Sequence, residues 1–588
     1  MKVSRYYMAL RSVARDPISV LNRPSRSSVY GVLWAGFITF MVVGPWLGGG
    51  YLFGTDWPGP RRFDFPTGIS SSAPLQALLA AVAVVVQAEL VGKLLVILIL
   101  FGAALGAFLA APADGFVARA GSALLYSMNP FMYGRLEYGQ LYLLAAYALL
   151  PWVANRILVA LRRLTLKDAA WAAVGLTLIG ILSPHALLMT SVLAAVLGAI
   201  VLASCRDAAR IRRLAATLSG IAGGTAVLSS FWLIPVIAGR GYEGGLIGRA
   251  SQADLRAFAA VPDTALGLVP NLLGLYGFWA ENSGRFTSMK FFVPGWPLAL
   301  VLVLLVCTIG AASALRRRSD PAAQWVAALI VTAIIALALE IGVSNQATGQ
   351  LVNWLDGHLP VYRGMRDAGK WAVILAFAYS QLFAVGVAAL RGWSARLPVV
   401  QPRAELVGGI VGAVLLAAPL YYGNGLLYGA HGTIQPSDYP VGWYAADRQL
   451  SSDQHAGRAL FLPWHEYMSY SFVKNQNNVI ASPAPTFFSV PILSSADPEV
   501  AGVAPPRDFD QTAIRQLIAS GRDGSWQSVL PRLRVDYILV AHELDWQGYD
   551  YLNVTPGIAL VGDYGSIDLY QVLATTVCRQ PLSTIYEA

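Results

Sequence analysis

The sequence predicts a polytopic α-helical membrane protein of about eleven transmembrane helices, followed by a C-terminal extracytoplasmic α/β domain. Three observations predict it. Of 588 residues, 56% are apolar and only 13% charged, with a mean hydropathy of +0.54, whereas a soluble globular chain carries about a quarter charged residues. Apolar stretches close to the roughly 20 residues that cross a bilayer recur along the first 423 residues. The charge is divided: from Asn424 onward there are 9 Lys+Arg and 16 Asp+Glu, a net of −7, while the preceding part holds 33 and 17, a net of +16. This composition excludes a disordered chain and an ordinary cytosolic enzyme. The overall +9 does not indicate nucleic acid, because positive-inside sorting of short loops explains a basic membrane half. Cys205, Cys307 and Cys578 suggest no disulfide framework.

The candidate spans lie near 30–48, 73–91, 94–112, 140–160, 168–183, 186–204, 215–239, 292–315, 322–343, 371–390 and 404–423. The first follows a basic arm over residues 1–29 (Lys2, Arg5, Arg11, Arg15, Arg23, Arg26) and reads as a retained signal anchor. Further basic clusters lie at Arg162, Arg163 and Lys167, from Arg206 to Arg213, at Arg316, Arg317 and Arg318, and at Arg391, Arg396 and Arg403. Eleven alternating spans from a cytoplasmic N-terminus bring every cluster to the cytoplasmic side and send the acidic tail across the cell (inner) membrane. The long connections 49–72, 113–139, 240–291 and 344–370 then all face outward. Loops of that length tend to carry function. Within 240–291, Asp254-Leu-Arg-Ala-Phe-Ala-Ala suggests a short helix in the interface.

From 424 to 588 the apolar runs shorten to strand length: Ala459-Leu-Phe-Leu-Pro, Tyr537-Ile-Leu-Val-Ala, Ile558-Ala-Leu-Val-Gly and Ile567-Asp-Leu-Tyr-Gln-Val. Helical patterns at 443–450 and 511–519 separate them, which gives one α/β domain.

The ionisable residues crowd the outer loops. Asp56 follows the first span in Gly48-Gly-Gly-Tyr-Leu-Phe-Gly-Thr-Asp-Trp-Pro. A carboxylate there is either a turn residue bonding its own backbone or, if desolvated, a general base for a hydroxyl. Arg61 and Arg62, with Asp64 beyond, are phosphate ligands or headgroup anchors. Asn129-Pro-Phe-Met-Tyr-Gly-Arg-Leu-Glu-Tyr-Gly-Gln140 sets Arg135 and Glu137 at a membrane boundary, where ionised groups are paired or functional. In Val361-Tyr-Arg-Gly-Met-Arg-Asp-Ala-Gly-Lys-Trp371, Arg363, Arg366 and Lys370 surround Asp367, as a phosphate clamp or as snorkelling anchors. His185 falls on a tight outer turn, free to meet a ligand or to stay interfacial. His465 and Glu466 in Pro463-Trp-His-Glu-Tyr467 point to opposite faces of a strand and do not share a metal. There is no H-E-x-x-H, paired-Cys, Walker A or dinucleotide motif.

Gly49-Gly-Tyr-Leu-Phe-Gly-Thr-Asp56, Asn129-Pro-Phe with Arg135, Gly139 and Gln140, and Arg366-Asp367 with Lys370-Trp371 make the chain resemble the GT-C superfamily of integral membrane glycosyltransferases. More narrowly they resemble its YfhO-type and actinobacterial arabinofuranosyltransferase groups. The resemblance implies a sugar moved from a polyprenyl-phosphate donor to a glycan or glycolipid acceptor of the cell envelope. It implies Asp56 as the base and Arg363, Arg366 and Lys370, with Arg61 and Arg62, around the donor phosphate. Asp64, Arg135, Glu137, Gln140, His185 and Asp367 would complete the substrate site. The first loop lacks the paired acidic motif common in the superfamily, which leaves a divalent cation as an open expectation. A flippase for a lipid-linked saccharide and a non-catalytic envelope assembly protein are the competing readings. Nearly charge-free spans and polar groups gathered on one face favour the enzyme over alternating access.

Overall fold

The computed structural model describes residues 26–316, 321–359, 362–394, 404–453, 456–506 and 508–573. Lys2, Arg5, Arg11, Arg15, Arg23, Arg317, Arg318, Arg396, Arg403 and Cys578 lie outside these residues. The chain is a multi-pass membrane helix bundle joined to an α/β domain.

Among the described residues, seven helices are long and apolar enough to cross a bilayer: Ser28–Leu47, Ala88–Ala110, Leu141–Arg163, Pro184–Ala203, Trp296–Leu315, Ala322–Ser344 and Ala368–Ser394. Two bent pairs, Ala208–Leu228 with Ser230–Arg249 (81°) and Val407–Tyr422 with Asn424–His431 (58°), bring the number to nine. Hydropathy predicts eleven candidates. The stretch 73–91 is not one helix: Ala73–Ala83 ends, and Gln87 turns out of helical geometry before Ala88–Ala110 begins. The stretch 168–183 forms Leu166–Leu182, 17 residues capped by Thr165 and stopped at Ser183, about 26 Å at 1.5 Å per residue against a hydrocarbon core of about 30 Å. Helices 88–110, 116–127, 141–163 and 372–394 pack at the centre through Ala, Leu and aromatic side chains. Leu298 and Ile334, and Leu98 from the outward side of helix 88–110, face the surroundings, as lipid-facing side chains do.

The C-terminal domain is built on a five-stranded sheet in the order β4-β1-β5-β7-β6: β1 Arg458–Leu462, β4 Ile492–Leu493, β5 Val535–Ala541, β6 Ile558–Asp563 and β7 Ile567–Val572. Strands β4, β1 and β5 run parallel, and β7 and β6 continue antiparallel. Alternation along β5 separates two cores. Tyr537, Leu539 and Ala541 face the helix Val441–Ser452 through Trp443, whereas Ile538 and Val540 face Phe509–Ala519 and Trp526–Arg532. A separate hairpin pairs β2 Tyr467–Ser469 with β3 Val479–Ala481.

The 49–72 loop joins that domain. Phe53 is 2% exposed and packs with Tyr439 and Phe472 in the same core as Trp443. Tyr51 pairs with Ser437 across a β-bridge, Asn475 donates to the Phe53 carbonyl, and the Ala481 amide donates to the Thr55 carbonyl at 2.8 Å.

Candidate active site

The first outer loop makes a tight turn in which the Gly54 and Trp57 amides each donate to the other's carbonyl, at 2.8 and 3.0 Å, with Asp56 at its tip. The Asp56 amide donates to the Tyr138 carbonyl at 2.7 Å. Tyr138 follows the short helix Pro130–Glu137, which starts where Asn129 accepts from the Met132 amide with Pro130 in the first turn. The chain then reverses at Gly139, whose φ of +80° suits a residue without Cβ. Gly54 and Gly139 abut; a Cβ on Gly54 would lie 2.7 Å from Gly139 Cα.

That contact sets Asp56 beside Gln140. Gln140 Nε2 donates to Asp56 Oδ2 at 3.0 Å, and the Tyr467 hydroxyl of β2 donates to Asp56 Oδ1 at 3.1 Å. The carboxylate is open to the cavity, whose walls displace bulk water around it. Desolvation therefore pushes its pKa above the ordinary carboxylate value, opposed by these two donors and by the charges of Lys370 and Arg135. Behind it, Arg135 Nη1 donates to Gln140 Oε1 at 2.9 Å, and the guanidinium forks Asp367 at 2.6 and 3.3 Å. Burial alone would raise Asp367, but Arg135 and Lys370 outweigh it and hold the carboxyl below its usual range.

Also on the cavity wall, Ser183 caps the helix that carries His185. His185 Nε2 sits 2.8 Å from the Gly364 carbonyl and 3.4 Å from Lys370 Nζ. Arg366 lies over the Phe258 ring at 4.9 Å and 4.0 Å from the buried Asp254 carboxylate, with its side chain 41% exposed. The cavity measures about 920 Å³, and Leu188, Trp232, Leu233, Val236 and Ile247 give it an apolar side.

Neither a protein-family model nor a curated protein sequence matches the chain. Among solved structures, a cryo-EM structure of the arabinofuranosyltransferase AftD from Mycobacteria superposes over 94% of this chain with a TM-score of 0.58 at 17% identity. A mutant of the same enzyme superposes over 94% with a TM-score of 0.53, also at 17% identity. The chain shares the fold of these AftD structures. It spans 40% and 42% of the lengths of those two AftD chains. A crystal structure of the Archaeoglobus fulgidus oligosaccharyltransferase aligns with 90% of this chain and 70% of its own, at 13% identity and a TM-score of 0.46.

Within this fold the cavity wall brings together Asp56, Arg62, Asp64, Gln140, His185, Arg363, Arg366 and Lys370 from segments far apart in sequence. Four other expected site residues are not on the wall. Arg61, expected at a phosphate, is instead bound to Asp447 at 2.5 Å and lies against the Tyr444 and Phe487 rings, so it braces the loop to the C-terminal domain. Arg135 and Asp367, expected to touch substrate, are 2% and 7% exposed in their side chains and hold each other beneath the wall. Glu137 is paired with neither of them. It turns toward Thr287 and Asn477, and burial pushes it up to about 8. On the wall, Arg62 and Asp64 form a fork with each other at 2.8 Å, and Arg363 donates to the Asp356 carbonyl. That leaves Arg366 and Lys370 as the cations best placed to meet a ligand.

Sequence reading missed Tyr467, Asp254 and Phe258 as parts of the site. Tyr467 lies in the Pro463-Trp-His-Glu segment already singled out, but no spacing rule connects it to Asp56, 411 residues away. His465 meets Glu499 and Asp545 rather than Glu466. No three metal-ligating atoms converge among the described residues of the cavity: Asp56 accepts from Gln140 and Tyr467, Asp64 is forked by Arg62, and Glu243 accepts from the Ser71 amide. Among the described residues, three convergent ligand atoms occur only at His542, Asp563 and Asp568, beside β5–β7 of the C-terminal domain.

Proposed function

We propose that this chain is an integral membrane glycosyltransferase that moves a sugar from a polyprenyl-phosphate donor to a glycan or glycolipid acceptor on the extracytoplasmic face. One observation carries the reading. A single cavity is lined by the Asp56 carboxylate, raised by desolvation, and by Arg366 and Lys370, with an apolar side suited to an isoprenoid. In the reaction an acceptor hydroxyl oxygen bonds to the anomeric carbon, and the bond from that carbon to the donor phosphate oxygen breaks. Its electron pair leaves with polyprenyl phosphate. Asp56 takes the hydroxyl proton, for which a carboxylate raised by burial is a stronger base than one in water. Arg366 and Lys370 hold the charge that grows on the phosphate, fixed before the reaction begins. No step is routed through a metal. The outward sidedness rests on the basic clusters of the short loops.

The test uses the purified full chain in lipid nanodiscs with a polyprenyl-phosphate sugar, following release of polyprenyl phosphate. Asp56→Asn should lower turnover by about 10²–10⁴, the usual contribution of general-base catalysis, with unchanged binding of polyprenyl phosphate. Arg366→Ala with Lys370→Ala should weaken that binding. Full turnover by Asp56→Asn would remove the carboxylate from the mechanism.

A further inference from the structure

Resting on that reading, we propose that Gln140 is a positioning residue for Asp56, and that the Arg135–Asp367 pair ties its alignment to the seating of the donor-phosphate loop. A glutamine amide has two ends of similar shape, one donating and one accepting. Beside a base the difference decides the outcome: Nε2 steadies the carboxylate, whereas Oε1 would repel it. Arg135 makes the choice. A guanidinium only donates, so Nη1 at 2.9 Å requires Oε1 to face it and turns Nε2 to Asp56.

Arg135 is itself immobilised. Phe278 and Phe131 lie under its guanidinium at 4.1 and 5.5 Å, and Asp367 forks it from the far side. The backbone of the donor loop lies flush on the guanidinium as well: a Cβ on Gly369 would stand 2.9 Å from Nη2. Asp367 is the immediate neighbour of Arg366 and three residues from Lys370. The segment that presents the cations is therefore the one that locks the amide. When the loop is seated, the base is aligned. When it lifts, Arg135 loses its carboxylate and Gln140 is released to turn its oxygen toward Asp56. A buried ion pair gives little net stability over apolar residues of the same volume, so its place here fits a role in geometry. The ionisable groups around Asp56 are Lys370 and Arg135, which favour its charge, Glu466, whose own carboxylate couples to it with like charge, and Tyr467 and Tyr138, whose hydroxyls its charge holds protonated while Tyr467 donates to it.

The experiment compares Gln140→Leu, Gln140→Glu and Asp367→Asn with the unaltered chain in nanodiscs. It records kcat, KM for the donor, polyprenyl-phosphate binding and the pH–rate profile. Gln140→Leu should lose 10-fold or more in kcat with donor binding within threefold of the parent. Gln140→Glu, which sets a second carboxylate against Asp56, should move the acid limb of the profile to higher pH. Asp367→Asn should lower kcat as Gln140→Leu does. Combining the two should lower it no further, because both act on one amide. A Gln140→Leu protein with parental kcat overturns the proposal. So does one that loses kcat and donor binding in equal measure with an unmoved profile. If Asp56→Asn is itself fully active, the failure belongs to the base assignment. If Asp56→Asn is inactive while Gln140→Leu is not, only the positioning proposal falls.

Discussion

Replacing Gly54 by alanine tests whether the meeting of two loops sets the reactivity of Asp56. The new methyl would sit 2.7 Å from Gly139 Cα and 2.8 Å from its nitrogen, against an ordinary contact of 3.4–4 Å. Gly139 presses on the same turn from its own side as well: a Cβ there would stand 2.8 Å from Trp57 and 3.2 Å from the Gly54 carbonyl carbon. The turn that carries Asp56 must therefore back away by roughly 0.7 Å. That takes the 2.7 Å bond from the Asp56 amide to Tyr138 beyond the hydrogen-bond range of about 2.7–3.2 Å, and the 3.0 Å bond from Gln140 with it. Displacements near 1 Å at a reacting group cost about 10²-fold in rate, while overpacking of this kind costs about 1–3 kcal/mol of stability. Turnover of Gly54→Ala should thus fall by one to two orders of magnitude while the protein still folds and melts cooperatively. Gly49→Ala, with nothing within 4 Å of the added methyl, serves as the control and should match the parent in both. Parental turnover and melting in Gly54→Ala would show that the loop junction does not set the base.

Three further outcomes follow from burial and charge. Transfer should accelerate with rising pH through a limb above the ordinary carboxylate value near 4, because desolvation raises Asp56 and only its ionised form accepts a proton; a limb at the ordinary value would contradict this. Glu137, 4.5 when unperturbed and about 8 in the folded chain, holds its proton only in the folded state between those values. Its contribution is therefore complete below the lower value and lost as pH rises toward the upper one, at up to ~1.4 kcal/mol per unit. Glu137→Gln should melt higher than the parent at pH 8.5 and lose that advantage near pH 5, with equal pH slopes as the refuting result. Phe53→Ala should destabilise the C-terminal domain by about 3–5 kcal/mol and open it to limited proteolysis; parental resistance would mean that Phe53 does not hold the domain together.

Much of the fold was legible because its cause is local. Short apolar runs marked β1, β5 and β6, an alternating run marked β7, and hydropathy marked the long helices. The break before Ala88 was hidden because Val82-Ala-Val-Val-Val86 is apolar on both sides of the point where the helix stops. Hydropathy measures solvent preference, not continuity of hydrogen bonding. The residues of the candidate site stood out by type and location, but the partner of each charge did not. Arg61 meets Asp447 across 386 residues, and Arg135 meets Asp367 across 232. Such pairings decide whether a cation faces a ligand or holds a loop, and they exist only after the chain has folded back on itself.

The insertion of Phe53 into the distant sheet domain has a consequence for biogenesis. Tyr439, which closes over this segment, is synthesised 381 residues after Pro58, an interval of about 20–75 s at roughly 5–20 residues per second. Throughout translation of the intervening helices, the aromatic hook has no socket. The nascent polypeptide must shelter it in the headgroup layer or with a chaperone until its tail arrives. Expressed without the hook, the tail would fold around a gap where an aromatic ring belongs, and supplying the 51–63 peptide in trans should restore what covalent linkage normally guarantees.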